Sequence, residues 1–207
     1  MSETTIVVGS LVALRDVLET GELVALGSGA DVVIVPTAAA FTGIAEAAIE
    51  LSSLFDDLDV QVEALMIADR ASCAEPYFAR RLSEADLVVL SDGSALHAKS
   101  VWRGTPVGEA IRDARRLVAV GSCASVLGDV MIDPRGGAPT TGLGYRVGLA
   151  TGVLASEEQL ARTRALLGDD VALAVLGPRG AVHFDGTAWR SSSDDVVVTR
   201  GETVVAL

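Results

Sequence analysis

Five short apolar runs constrain the fold more than any other feature of this 207-residue sequence. Val, Ile, Leu and Ala follow one another in them, with little of the polar alternation found in strands that have one face in water. Such runs are typical of parallel strands covered on both faces. Helical segments separate them, so the order βαβαβαβαβ predicts a three-layer, doubly wound α/β fold around a mostly parallel sheet. The runs lie at 5–8, 31–36, 60–67, 86–91 and 116–121, and the predicted helices between them at 10–27, 41–58, 74–85 and 107–116.

The pattern of elements changes after Gly148. One more helix is predicted, followed by short strands separated by glycine-bearing turns. We expect these strands to form an antiparallel extension at the edge of the main sheet. The sequence shows no linker, low-complexity tract or repeat, which favours a single domain over residues 1–207. The predicted helix lies at 157–168 and the strands at 171–177, 181–189, 194–201 and 202–207.

Charge and composition argue against several classes of function. The formal net charge of −12 argues against nucleic acid as a partner, because phosphate binding requires clustered Lys and Arg. The N-terminal apolar run ends at Arg15, too early for a signal sequence or membrane span, so we expect a cytoplasmic protein without membrane contact. Residues 27–29 lack the third glycine and the acidic residue of a dinucleotide fingerprint, so no cofactor is predicted. Cys73 and Cys123 have neither disulfide nor metal-ligand spacing, which predicts reduced thiols and no metal.

Two loops at one edge of the predicted sheet form the candidate site. Ligands of doubly wound sheets bind beyond the carboxyl ends of the strands. Residues 91–94 follow the fourth strand and begin a helix, while small residues surround Cys123 after the fifth strand. This pattern predicts a sharp strand-to-helix turn, where a helix N-terminus would lower the pKa of the Cys123 thiol and nearby N–H groups would bind an oxyanion. A cysteine at a strand end equally suits a small buried side chain.

Several short motifs follow one another in the central part of the chain. Gly-Thr-Pro stands at 104–106, Gly121 and Ala124 flank the predicted turn, and an aliphatic, Gly-rich segment follows at 129–137. Together with the strand at 33–38, they resemble the cyanophycinase and dipeptidase E serine peptidases of the class I glutamine amidotransferase-like superfamily. The resemblance implies the fold of that superfamily and a hydrolase of small peptides or amides.

The resemblance also implies roles for individual residues. The nucleophilic Ser of the family falls on Cys123, and the wider superfamily uses Cys at this position. The Gly-Gly-Asp-Gln loop of the family falls on residues 91–94, where Gly and Ser replace its acidic and amide residues. The general-base His of the family falls near Leu154, where this sequence has no His. The chain therefore resembles a divergent member that has Cys at the nucleophile position and lacks the usual base.

Other residues are candidates for proton transfer and ligand binding. His97 follows the 91–94 loop on the same sheet edge, but it also suits a half-exposed helix face. His183 lies in a predicted hairpin and suits a strand surface. Asp92 and Asp129 flank the site and suit either capping or the orientation of a base or ligand amine. 

Three hypotheses follow from these residues. In the first, the Cys123 thiolate attacks the carbonyl of a small peptide or amide, and His97 transfers protons. In the second, the chain is a noncatalytic pseudoenzyme that binds a ligand or a protein partner through the retained pocket. In the third, Cys123 is a redox-active or aldehyde-reactive thiol.

The resemblance also implies a homodimer. The predicted binding residues are Ser91, Asp92, Gly93, Ser94, Ser122, Ala124 and Arg135, the last as a partner for a carboxylate.

Overall fold

The computed structural model describes residues 4–21, 26–133, 135–153 and 156–207. The strands in these ranges are β1 Thr4–Val8, β2 Ala30–Val35, β3 Val60–Ala64, β4 Leu87–Leu90, β5 Arg116–Val120, β6 Val130–Ile132, β7 Pro139–Thr141, β8 Leu149–Val153, β9 Ala172–Leu176, β10 Ala181–Phe184, β11 Trp189–Ser191, β12 Val196–Arg200 and β13 Thr203–Val204. The α-helices are α1 Leu11–Thr20, α2 Ile44–Ser53, α3 Pro76–Glu84, α4 Ala95–Trp102, α5 Pro106–Arg112 and α6 Glu157–Leu167. Short 3₁₀ helices lie at Thr37–Ala39, Ser72–Ala74 and Gly121–Leu127.

The main sheet confirms the predicted α/β fold class. Its seven strands have the order β11-β10-β1-β5-β4-β2-β3. The five strands predicted from the apolar runs all pair in parallel, and β10 and β11 add an antiparallel edge. This order places β4 and β5 side by side, so the loops after these two strands meet at one edge of the sheet.

Two hydrophobic cores, one on each face of the main sheet, explain the continuous apolar runs. Along β1, Ile6 and Val8 pack with α1 and α2, whereas Val7 belongs to the core that contains side chains of α3, α4 and α5. Both side-chain directions of the central strands are therefore buried, and a polar residue has no exposed face to occupy. β3 lies at the open edge and is partly exposed, and it ends at Ala64, earlier than predicted.

The prediction that all C-terminal strands extend the main sheet is wrong. Only β10 and β11 do so, while a separate four-stranded sheet has the order β13-β12-β9-β8. β8 and β9 pair in parallel because α6 carries the chain between them, a crossover that the spacing of the apolar runs does not reveal. Ala174 and Leu176 of β9 join the core beneath α3, α4 and α5, so this sheet covers part of the same face.

The first helix is shorter than predicted. α1 begins at the N-cap Ser10, whose side chain accepts a hydrogen bond from the Val12 N–H. It ends before Gly21, which takes the left-handed conformation (φ 63°) that commonly stops a helix. The rest of the predicted segment includes residues 22–25, which lie outside the described residues.

The Gly-Thr-Pro motif has a structural role at the junction of α4 and α5. Gly104 turns the chain with a φ of 62°. Thr105 then caps α5 by accepting a hydrogen bond from the Gly108 N–H (3.1 Å), and its hydroxyl donates to the Trp102 carbonyl (2.9 Å). Pro106 is the first helical residue, where its missing N–H costs nothing. The motif thus fixes a tight turn between two packed helices.

A buried arginine ties the segment before β8 to the main sheet. Arg146 is 3% exposed. Its Nε donates to the hydroxyl of Thr5 in β1 (2.6 Å), and Nη1 donates to the carbonyls of Arg112 (2.9 Å) and Tyr145 (2.7 Å). These bonds join the first strand to the end of α5.

We predict that Arg146→Leu lowers the free energy of unfolding by about 2–4 kcal/mol, because it leaves buried acceptors without their charged donor. Urea denaturation followed by circular dichroism measures this change. Arg135→Leu is the matched control and should have little effect, because the Arg135 side chain is 76% exposed. Equal stabilities of the two variants would contradict the assigned role of Arg146.

Candidate functional site

The predicted loops do meet at the carboxyl ends of β4 and β5. The Ser91 N–H donates to the Val35 carbonyl (3.2 Å), which continues the pairing of β4 with β2 past the end of the strand. The Ser94 N–H donates to the Ala38 carbonyl (2.7 Å), and the Ser94 hydroxyl accepts from the His97 N–H (3.2 Å) to cap α4. The 91–94 loop is therefore held between β2 and the start of α4.

Asp92 connects the two loops. Its Oδ1 accepts hydrogen bonds from its neighbour Gly93 N–H (2.6 Å), from the Ser122 N–H (2.8 Å) and from the Ser122 hydroxyl (2.9 Å). The same hydroxyl lies 2.6 Å from the Gly93 carbonyl, so it can donate to either acceptor. Asp92 is exposed and Ser122 is half-buried, which places this polar cluster at the surface.

Gly121 is the residue that turns the chain after β5. Its φ of 63° is in the left-handed region, where a side chain is strained. A Cβ atom there would overlap the carboxylate of Asp92. Glycine is required here for two reasons, the backbone conformation and the close approach of Asp92.

Cys123 does not lie at the sharpest point of this turn, and its thiol is not exposed. It belongs to the 3₁₀ helix Gly121–Leu127, two residues beyond the turn, and is 0% exposed in a core that includes Ala98 and Ala119. Burial raises the pKa of its thiol above the ordinary value, and the negative charge of Asp92 raises the pKa further. The expected lowering of this pKa is therefore wrong for this conformation, since desolvation outweighs the N-terminus of a short 3₁₀ helix.

The described contacts of the His97 ring are with residues other than Cys123. Its Nε2 lies 2.8 Å from the Ala68 carbonyl, and its ring packs against Phe41 at a centroid separation of 4.6 Å. No hydrogen bond joins it to Cys123 among the described residues. His183 lies in β10, opposite Ile6 of β1, and burial lowers the pKa of its imidazole. The structure therefore brings neither histidine into contact with the thiol.

Most of the expected oxyanion donors already have partners. The Gly93 and Ser122 N–H groups donate to Asp92, and the Ser94 N–H donates to Ala38. A carboxylate of the chain thus occupies one N–H donor of the 91–94 loop, together with the N–H of Ser122. The Ser91 hydroxyl is buried and has no hydrogen-bond partner in the described part of the chain. The other expected donor was the backbone N–H near Ala124, and Ala124 is buried within the 3₁₀ helix.

The Gly-rich segment after the turn contains regular strands. β6 and β7 form an antiparallel hairpin, and Arg135 lies in its connection. The Arg135 guanidinium donates to Asp133 through Nε (3.0 Å) and Nη2 (2.7 Å), which lowers the pKa of Asp133 to about 2. Arg135 is thus committed to a neighbour in the hairpin. Asp129 is exposed just before β6, and Leu154, the position of the family His, lies outside the described residues.

Metal-ligand clusters and membrane-spanning helices are absent from residues 4–21, 26–133, 135–153 and 156–207. No group of three or more His, Cys, Asp or Glu residues in these ranges is arranged to hold a metal ion. No helix in these ranges is long and apolar enough to cross a membrane.

Comparison with known proteins identifies similar structures but no similar sequences. No protein-family model matches the chain, and no curated protein matches it. A peptidase from an acI-B1 actinobacterium has a TM-score of 0.78 at 20% identity, over 100% of this chain and 94% of that one. A protein assigned as a peptidase E from Listeria monocytogenes EGD-e has a TM-score of 0.65 at 11% identity, over 97% of this chain and 99% of that one. The chain shares the fold of these two proteins.

Sequence reasoning placed the two loops at one edge of the sheet but missed the bonds that join them. Asp92 and Ser122 were both predicted as binding residues, yet the bond between them was not foreseen. The available signal was Gly121, because a glycine directly after a buried strand often allows another group to approach the backbone closely. That group is the Asp92 carboxylate at the end of the neighbouring strand.

We predict that Gly121→Ala destabilises the fold by about 1–3 kcal/mol, and by less when Asp92 is also changed to Gly. The smaller cost is expected because Asp92→Gly removes the steric overlap and leaves only the backbone strain. A double-mutant cycle in urea measures the difference. Gly148→Ala is the matched control for backbone strain, since Gly148 has a φ of 84° and no atom within 4 Å of an added Cβ. Equal costs of Gly121→Ala in both backgrounds would refute the close approach.

Proposed function

We propose that this chain is a peptidase-like protein that binds a short peptide or small amide at the carboxyl edge of its main sheet, and that it does not hydrolyse this ligand through Cys123. The observation that carries the proposal is the complete burial of Cys123 beneath an exposed polar cluster of Asp92, Gly93 and Ser122. The cluster is accessible to a ligand, whereas the thiol is not.

Amide hydrolysis through a thiol needs an accessible thiolate, a base and free oxyanion donors. Burial raises the pKa of the Cys123 thiol, so the thiolate is rarer at neutral pH than in a free cysteine. His97 is bonded elsewhere, and loss of a general base typically costs about 10²–10⁴-fold in rate. Asp92 occupies the N–H groups of Gly93 and Ser122. In the described conformation, the thiol is therefore buried, His97 is hydrogen-bonded elsewhere, and two N–H groups beside the thiol already bind a carboxylate.

Asp92 is the residue that we assign to ligand recognition. Its Oδ1 is fixed by the bonds from Gly93 and Ser122, while Oδ2 accepts none of them. A preorganised, exposed carboxylate oxygen suits the ammonium or amide N–H of a small ligand. The formal net charge of −12 also favours ligands with a protonated amine, because the protein as a whole attracts cations. The fold shared with two proteins described as peptidases supports a peptide or amide over other amines.

Hydrolysis through Cys123 is the second candidate function. It is favoured by the position of Cys123, which directly follows Ser122 in the segment after β5 and is close enough to Asp92 for that charge to affect its pKa. This function requires the 3₁₀ helix to open and expose the thiol. It also requires a general base near the thiol, because neither His97 nor His183 is hydrogen-bonded to Cys123 in the described conformation.

We predict that some members of a panel of dipeptides and amino-acid amides raise the melting temperature of the protein without being consumed. Differential scanning fluorimetry measures binding, and mass spectrometry of the same samples measures turnover. Asp92→Asn should weaken binding about tenfold, because it keeps the shape of the side chain but removes its charge. Asp57→Asn is the matched control and should bind normally, because Asp57 is exposed just before β3, at the amino edge of the sheet. Cys123→Ser should also retain binding.

The outcomes separate the two functions. Turnover that Cys123→Ser abolishes would overturn the proposal and establish the hydrolase. Equal binding by wild type and Asp92→Asn would remove Asp92 from recognition. Stabilisation that depends on Asp92 and occurs without turnover is the result that supports the proposed function.

A further inference from the structure

The single lysine of the sequence, Lys99, lines a cationic cavity on the outer side of α4. The cavity has a volume of about 450 Å³ and is open to solvent. Its other basic residues are Arg70, from the loop after β3, and Arg103, at the end of α4. Leu96 and Ser100 complete the lining. Three positive charges therefore surround one cavity in a chain whose net charge is −12.

No described ion pair neutralises these three cations. Arg70 Nη1 donates to the carbonyls of Ser100 (3.2 Å) and Arg103 (2.6 Å), and Arg103 Nη2 donates to the carbonyl of Gly142 (2.7 Å). These bonds fix two guanidinium groups but leave their charge unmatched by a carboxylate. The described contacts include no hydrogen bond from the Lys99 ammonium.

Two neighbouring carboxylates, Asp69 and Asp133, are hydrogen-bonded to other groups, although the charge of Asp133 also acts on Lys99. Asp69 accepts hydrogen bonds from the Ser72 N–H and hydroxyl, both at 2.9 Å. Asp133 is paired with Arg135 within the connection between β6 and β7 (2.7 Å). Each carboxylate thus has its own donors, and the cavity keeps an excess of positive charge.

Capping of α4 does not account for the whole cluster. Arg70 acts as a C-terminal cap, because it donates to the Ser100 and Arg103 carbonyls at the end of the helix. Lys99 has no such bond, and the pKa of its ammonium is lowered by burial and by the charge of Arg103. Crowded, partly desolvated cations of this kind are stabilised by a bound anion.

We propose that this cavity binds the phosphate group of a small phosphorylated molecule. A phosphate carries about −1.5 to −2 charges at neutral pH, so it matches three cations better than a single carboxylate does. The Lys99 ammonium and the remaining N–H groups of the two arginines supply donors for several phosphate oxygens. The cavity is larger than a phosphate needs and is within the size range of small-molecule sites, so it has room for the body of the ligand. The proposal is independent of the proposed function, since Asp92 is not among the lining residues.

The single lysine makes the test direct. Reductive methylation labels amines, and mass spectrometry then reports Lys99 and the N-terminal amine separately in the same molecule. We predict that inorganic phosphate slows methylation of Lys99 about threefold or more relative to the N-terminal amine, whereas chloride at equal ionic strength does not. Glycerol phosphate should protect at least as well as inorganic phosphate.

Two variants make the result specific. Arg103→Gln should raise the phosphate concentration needed to protect half of Lys99 about tenfold, because one charged donor is lost from the cavity. Arg115→Gln removes the same charge from a residue paired with Asp86 away from the cavity, and it should retain full protection. Asp92→Asn should also retain it, which separates this site from the carboxyl-edge site. Equal protection by chloride, or undiminished protection in Arg103→Gln, would overturn the proposal.

Discussion

The contact between the Asp92 carboxylate and the backbone at Gly121 and Ser122 determines the geometry of the candidate site. Asp92 follows β4 and Gly121 follows β5, so this contact joins the ends of two adjacent parallel strands. A carboxylate can lie this close to the chain only where no Cβ intervenes. The turn is therefore made at Gly121, and the directions of the next two side chains follow from it. Ser122 faces Asp92, and Cys123 faces the core.

The same contact accounts for the chemistry of the site. In a hydrolase of this architecture, N–H groups at the ends of β4 and β5 would be kept free for a developing oxyanion. Here the Gly93 and Ser122 N–H groups, one after each strand, bind the carboxylate of Asp92, and its charge further disfavours ionisation of the buried thiol. Binding and hydrolysis place opposite demands on these donors. A carboxylate fixed by N–H groups is well ordered for recognition of a cationic or amide ligand, but it leaves little to stabilise a tetrahedral intermediate.

The sequence predicted the fold better than it predicted the site, for identifiable physical reasons. Runs such as 31–36 and 116–121 are apolar at successive positions because both faces of the central strands are buried, and this is a local property that sequence shows directly. The pairing of β8 with β9 depends on contacts that form after α6 returns the chain to the sheet. The apolar pattern of the sequence therefore did not predict it. The loops at the sheet edge were also located correctly, since strand order places them together.

The direction of Cys123 was not predictable, because it depends on Gly121, not Cys123, taking the positive φ. Arg135 was also predicted incompletely. It was expected to bind the carboxylate of a ligand, but its guanidinium pairs with Asp133, two residues away in the same loop.

The accessibility of Cys123 is the property on which the whole account depends, and its alkylation rate measures that property most directly. The rate is followed by mass spectrometry against pH in the folded protein and in urea, where the thiol is free. The account predicts that alkylation in the folded protein is about a hundredfold slower or more than in urea, with no midpoint below the free-thiol pKa of about 8.5. Rapid alkylation of the folded protein with a midpoint well below that value would contradict it, because it would show an exposed, activated thiolate after β5.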